Sequence, residues 1–240
     1  MGEPQVFQEW DGYLTSHPLL QRSFVGEKDK FAEAAFDFLA AQLGLGSQIE
    51  ELNLESPEEW RISEMASGRL KMALVSFLLG LVGANRVLEI GTFIGLSSIL
   101  MAKALGPESR IVTIEVAPRY AEMARRNILR NSLQSQIEVL DGNALQLISS
   151  MATETVFDAF FIDGDKGCYQ EYVEQALRLV RPGGLILVDD AFFHGDVFNT
   201  SPTTEKGAGV RRCVEFACSS DDLKVTFVPI TNGLLVARRL

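Results

Sequence analysis

Cysteine and histidine are scarce in this chain, three and two among 240 residues. Cys168, Cys213 and Cys218 make an odd set, and the last two stand five apart, which is not the Cys-x-x-Cys spacing of a zinc or redox loop. They read as reduced thiols, expected in the cytoplasm. No apolar run reaches the ~18 residues needed to span a bilayer. The opening MGEPQVFQEW has no basic stretch followed by an apolar one, which argues against a signal peptide, and Val6 stands where a myristoylation signal needs Ser or Thr. Positive charge is also in short supply: 22 Lys and Arg face 32 Asp and Glu, a formal net charge of -10. Gripping a phosphate backbone takes clustered Lys and Arg, so the balance speaks against a nucleic-acid partner. Hydrophobic residues, in contrast, make up 47% of the chain. That is too many for disorder and enough, at this length, to bury one sizeable core.

The first part reads as helical. FAEAAFDFLAAQL, Phe31 to Leu43, predicts a helix stopped by Gly44 and Gly46, and a second helix is expected from about Ser63 to Leu81 with Ser63 as N-cap. Met65, Leu70, Leu74 and Leu78 are its expected buried face. From Asn85 onward short apolar runs alternate with helical patterns: RVLEIG, RIVTIEV, QIEVLDG, FDAFFIDGD and GGLILVDD, then KVTFVPI and GLLVARRL with no helix between them. Continuous apolar runs between helices are buried parallel strands joined by right-handed crossovers. The turn Pro229–Gly233 predicts a closing antiparallel hairpin. The expected architecture is α/β: a Rossmann-like, doubly wound, mostly parallel seven-stranded sheet over 59–240, with residues 1–58 a helical extension of the same domain.

In such a sheet ligands sit beyond the carboxyl ends of the strands at the switch point. VLEIGTFIGLSS supplies a strand, a glycine turn and a helix start there. Gly91 allows close backbone approach, and Ser97 lies at the helix N-terminus, suited to a carboxylate. The loop has two glycines rather than the three of a dinucleotide fingerprint. Glu89, just before it, would repel a pyrophosphate and attract an amino group or a sulfonium, so the loop leans towards S-adenosylmethionine. Glu115 ends the second strand, where a carboxylate takes ribose hydroxyls. Asp141, Gly142 and Asn143 form a turn before Ala144, whose backbone is placed to line an adenine pocket.

The fourth and fifth strands end in acids, Asp163 and Asp165 on one and Asp189 and Asp190 on the other. Carboxylates converging on one rim repel, and a shared proton or a cation relieves them. Oxygen donors without His or Cys suit Mg²⁺, with Ca²⁺ or Mn²⁺ also compatible. Lys166, three residues past Asp163, would have its pKa lowered beside a dication and become a general base.

These motifs together are specific. RISEMASGRL, VLEIGTFIGLS, IVTIEVAPRYAEMAR, FIDGDKGCY, RPGGLILVDD and VPITNGLLVARR resemble the cation-dependent O-methyltransferases, the caffeoyl-CoA O-methyltransferase-like family related to catechol O-methyltransferase. The resemblance runs from about Trp60 to Leu240. It implies that Ser63 contacts the cofactor and that Glu89 and the Gly91–Thr92 backbone hold its methionine part, with Ser97 on the carboxylate. It further implies Glu115 at the ribose, Ala144 at the adenine, Asp163, Asp189 and Asp190 at the metal, and Lys166 as base, with Asp163 also bordering the cofactor and the reaction. A homodimer is implied in the same way. Asp190 stands where the family usually has Asn, which adds negative charge. Phe193 stands where Trp is common, and His194 where a small residue is, so the acceptor loop departs from the pattern. The expected reaction is methyl transfer to a hydroxyl of a catechol-type small molecule. Metal-free methyl transfer on the same fold, nicotinamide-dependent redox chemistry and a non-catalytic scaffold are the alternatives.

Overall fold

The computed structural model describes residues 38–39, 41–44, 51–57, 66–152 and 156–240. The chain divides into two compact units, Met1–Glu51 and Leu52–Leu240. In the first unit residues 38–39 and 41–42 are helical, and the rest of the helix expected over Phe31–Leu43 lies outside the described residues. Among the described residues no helix is long and apolar enough to cross a membrane.

The second unit begins its regular structure with helix α1 (Ala66–Leu81). Then come β1 (Arg86–Ile90), α2 (Leu96–Leu105), β2 (Arg110–Glu115), α3 (Pro118–Arg130), β3 (Ile137–Asp141), α4 (Ala144–Ser150) and β4 (Phe157–Ile162). After β4 follow α5 (Tyr169–Leu179), β5 (Val180–Asp189), α6 (Glu205–Ser219), β6 (Leu223–Val228) and β7 (Leu234–Arg239). The strands form one seven-stranded sheet in the order β3-β2-β1-β4-β5-β7-β6. β1 to β5 are parallel, and β7 runs antiparallel between β5 and β6. The expected hairpin is therefore present, with its second strand inserted next to β5.

Burial follows position in the sheet. Central β1, β4 and β5 are buried along nearly their whole length, while edge strands β3 and β6 alternate. This is why the central runs are apolar on both faces. Phe160, Ile162, Ile186, Val188, Leu88 and Tyr169 form the centre of the core. The buried line of α1 differs from the expectation. Met72, Val75 and Leu79 are buried, whereas Leu70, Leu74 and Leu78 are half-buried and Phe77 and Leu81 exposed. A helix apolar on all sides gives the periodicity no single face to choose.

The strand order reverses between the parallel neighbours β1 and β4: connections run outward from β1 to β3 and resume on the other side at β4. That switch point opens a crevice beyond the two strand ends. Its floor is continued by backbone hydrogen bonds past the strands, with the Asp163 N–H donating to the Ile90 carbonyl at 2.8 Å and the Gly91 N–H to Ile114 at 3.0 Å.

Candidate active site

The crevice holds a cavity of about 580 Å³. Its lining includes Gly91, Phe93 and Glu115, Asn143 and Ala144 after β3, Asp163 and Lys166 after β4, and Phe193 and Lys206. Gly91 has φ +93°, and a Cβ there would lie 2.1 Å from the Asp163 carbonyl oxygen. Only glycine lets these two strand ends meet so closely. Gly95 caps α2 in the left-handed region and packs on Ala124 of α3.

Glu115 is built into the loop opposite. Its Oε2 accepts from the Phe93 N–H at 2.8 Å and its Oε1 from the Ala117 N–H at 2.9 Å. Both carboxylate oxygens keep acceptor capacity towards the cavity, since each has more than one lone pair. Phe93 has φ 49° and packs against Tyr120 in a tilted pair, ring planes 58° apart and centroids at 4.6 Å. Asn143 caps α4 by accepting from the Gln146 N–H, which sets Ala144 at the cavity edge.

Glu89 takes a different place from the one expected. It does not line the cavity. It is fully buried behind the loop, where its two oxygens accept from the hydroxyls of Ser97 and Ser98. Burial pushes its carboxyl up, and the serine hydroxyls pull against that rise. Ser97 thus spends its proton on Glu89, and the pair clamps the start of α2. Thr92 is also buried, its hydroxyl 2.6 Å from that of Thr113. Ser63 lies outside the described residues.

The acidic ends of β4 and β5 meet two lysines. Lys166 Nζ lies 2.9 Å from Asp163 Oδ1 and 3.0 Å from Asp190 Oδ2, bridging β4 to β5. Lys71, from α1, pairs with Asp189, with only 12% and 5% of their side chains exposed. Burial pushes Asp189 up to about 6, helped by the neighbouring Asp163 and resisted by Lys71. Burial also raises Asp163, against the pull of Lys166. For Lys166 burial alone would lower the ammonium, but Asp163 and Asp190 outweigh it and the net shift is upward. In this arrangement Lys166 is a firmly held cation; the expected lowering belongs to the site with a dication bound. The ring of Tyr169 lies beneath it, 5.2 Å from Nζ to centroid, and the Tyr169 hydroxyl is buried without a hydrogen-bond partner.

Do these residues fit a divalent ion? As the side chains stand, no three acids, histidines or cysteines among the described residues face one another closely enough to hold one. The lysines lie between the carboxylates. The donor set itself fits: three carboxylates on one rim, two of them raised by burial, beside a buried hydroxyl that lacks a partner. Hard oxygen donors with a nearby polar group are suited to a hydrated hard cation.

Lys71 was not anticipated from the sequence, although a lone lysine within LKMALVSFLLGL was a signal that something had to neutralise it. Phe193 faces the cavity, while His194 is exposed, with its Nε2 3.5 Å from Asn232 Nδ2.

The O-methyltransferase family profile matches residues 45–240. The chain belongs to the O-methyltransferase family. A catechol O-methyltransferase of Niastella koreensis is 39% identical over 140 residues, covering 58% of this chain and 63% of that protein. The chain thus spans a little under two thirds of that relative. Among solved structures, an O-methyltransferase from Bacillus cereus in complex with SAH superposes with TM-score 0.67 at 26% identity, covering 97% of each chain. The O-methyltransferase TomG from Streptomyces achromogenes, in complex with SAM, superposes with TM-score 0.67 at 27% identity, covering 100% of this chain and 99% of that one.

Proposed function

We propose that this protein transfers a methyl group from S-adenosylmethionine to a hydroxyl of a catechol-type small molecule, with a divalent cation, Mg²⁺ foremost, held by Asp163, Asp189 and Asp190. The observation that carries the reading is one cavity lined by Glu115 and by Asp163 and Lys166, with the Lys166 ammonium also paired to Asp190. The SAH- and SAM-bound relatives of the same fold support the cofactor, and the catechol O-methyltransferase supports the acceptor class.

Glu115 would accept from the ribose hydroxyls, Ala144 would border the adenine, and the Gly91 backbone would lie along the methionine part. Ser97 and Glu89 would act on the cofactor's amino acid end through the helix start that they fix. A divalent cation, when bound, would lower the pKa of an acceptor hydroxyl. Lys166 would take or hold the proton of that hydroxyl, a role open to it once Asp163 and Asp190 turn to another positive partner. The freed oxygen lone pair forms the O–C bond as the C–S bond breaks, leaving the neutral thioether SAH. Alignment of the two reactants in one cavity supplies much of the acceleration.

A second reading keeps the transfer and drops the cation, because Lys71 and Lys166 already bring two ammoniums to three carboxylates. Turnover of a catechol panel with Mg²⁺ and with EDTA separates the two. Loss of turnover in EDTA and in Asp163→Ala is expected, whereas full activity in both selects the second reading. Assembly as a homodimer in the cytoplasm completes the proposal, and light scattering on the purified protein tests the dimer.

A further inference from the structure

The loop after β5 carries Phe193 into the cavity wall, and its backbone is held in an unfavourable form. Asp190, Phe193 and His194 have φ of 55°, 37° and 52°, and Gly195 follows at 85°. Non-glycine residues in this left-handed region need their surroundings to hold them there. One end of the loop is pinned by the hairpin turn. The Phe192 N–H donates to the Asn232 carbonyl at 2.7 Å and the Ala191 N–H to Gly233 at 3.1 Å, while the Phe192 ring occupies the space a Cβ on Gly233 would need.

The other end is pinned by Asp196. Its Oδ1 accepts from the Thr203 N–H at 2.8 Å, the Thr203 hydroxyl at 2.8 Å and the Asn199 amide at 3.1 Å. Its Oδ2 accepts from the Thr204 N–H at 3.1 Å and the Thr204 hydroxyl at 2.7 Å. Thr204 in turn caps α6 by accepting from the Gly207 N–H. A Cβ on Gly207 would sit 2.0 Å from Asp196 Oδ2, so glycine is what admits the carboxylate to the helix start. Two residues on, a Cβ on Gly209 would meet the Lys166 carbonyl at 2.3 Å. The same helix therefore roofs Lys166 and brings Lys206 to the cavity. A carboxylate so saturated with donors has little left for a ligand.

We propose that Asp196 is a positioning residue for the acceptor: it clasps the Phe193–Phe198 turn to the start of α6, so that Phe193 and Lys206 form one fixed wall beside Lys166. These hydrogen bonds hold the Asp196 carboxyl well below the usual range, as expected of an acceptor engaged on both oxygens. The inference rests on the reading of this part of the cavity as the acceptor side.

The test compares the full-length wild type with Asp196→Ala and Asp196→Asn. Five quantities are measured: amide hydrogen exchange over residues 193–207, the Kd for SAH, the KM and the kcat for a catechol acceptor, and the melting temperature. In Asp196→Ala, exchange across 193–207 rises about tenfold and acceptor KM rises about tenfold, with the SAH Kd within about twofold of wild type. Asn keeps a carbonyl acceptor, so it recovers part of both changes. Asn alone carries the test if the Ala variant does not fold. Unchanged exchange overturns the clasp, and faster exchange at unchanged acceptor KM overturns its role at the wall. Equal losses of SAH and acceptor binding also overturn it, because they mark general damage. If the wild type methylates no catechol, the proposed reaction fails, while the exchange measurement still decides for or against the clasp.

Discussion

Gly91→Ala tests the geometry on which the cavity depends. At φ +93° an L-residue is in a region it rarely adopts, at a cost of about 1–2 kcal/mol. The added Cβ would lie 2.1 Å from the Asp163 carbonyl oxygen, 2.7 Å from its carbon and 3.2 Å from the Gly164 nitrogen. These are backbone atoms of the neighbouring strand end, so no side chain can rotate aside. β1 and β4 must part by roughly an ångström, an overpacking cost of about 1–3 kcal/mol. The total, about 2–5 kcal/mol, lowers the melting temperature by about 4–20 °C for a domain of this size. SAH affinity falls as well, because Gly91 and Asp163 both line the cavity. Gly83→Ala is the internal control: its φ is +61° and nothing lies within 4 Å of the added carbon. It carries only the backbone cost, about 1–2 kcal/mol, and leaves SAH binding unchanged. Calorimetry of both variants decides. Equal melting temperatures and equal SAH affinities would refute the close approach of the strand ends as the source of the effect.

Other outcomes follow from the buried charges. Lys71→Met leaves Asp189 buried without its cation and should cost about 3 kcal/mol by urea unfolding, and adding Asp189→Asn should recover most of it. No recovery would mean that Lys71 serves another contact. Glu89→Gln probes pH dependence. The folded carboxyl is raised above its unfolded value of about 4.3, so its ionisation in the native state weakens stability increasingly as pH rises through that raised value, and the penalty then stays constant. The stabilising effect of Gln relative to Glu should therefore be larger at pH 8 than at pH 5. The opposite trend in melting temperature would mean that the serine hydroxyls, not burial, dominate at Glu89.

The parallel strands, their alternation with helices and the closing hairpin were legible because strands buried on both faces leave continuous apolar runs such as FDAFFI and GLILV. The convergence of Asp163, Asp189 and Asp190 was legible because β4 and β5 are neighbours and end together. What was hidden depended on three-dimensional partners distant in sequence. Lys71 meets Asp189 118 residues away, and no local pattern encodes that. Glu89 was read as facing a ligand, since sequence gives the strand end but not the side it serves. Two serine hydroxyls drew it inward. Asp196 looked like one more loop acid, and its role emerged only when Thr203 and Thr204 were seen folded back onto it. On α1 an apolar surface all round left the buried face undecided until α2 packed on one side.

The most direct measurement is transfer of a labelled methyl group. The wild-type protein is incubated with methyl-labelled S-adenosylmethionine, a catechol and Mg²⁺, and the products are separated by mass spectrometry. The label should appear on a catechol oxygen, with SAH formed in equal amount. Label that stays on the cofactor across a broad catechol panel, with SAH bound but no acceptor methylated, would contradict the proposed reaction.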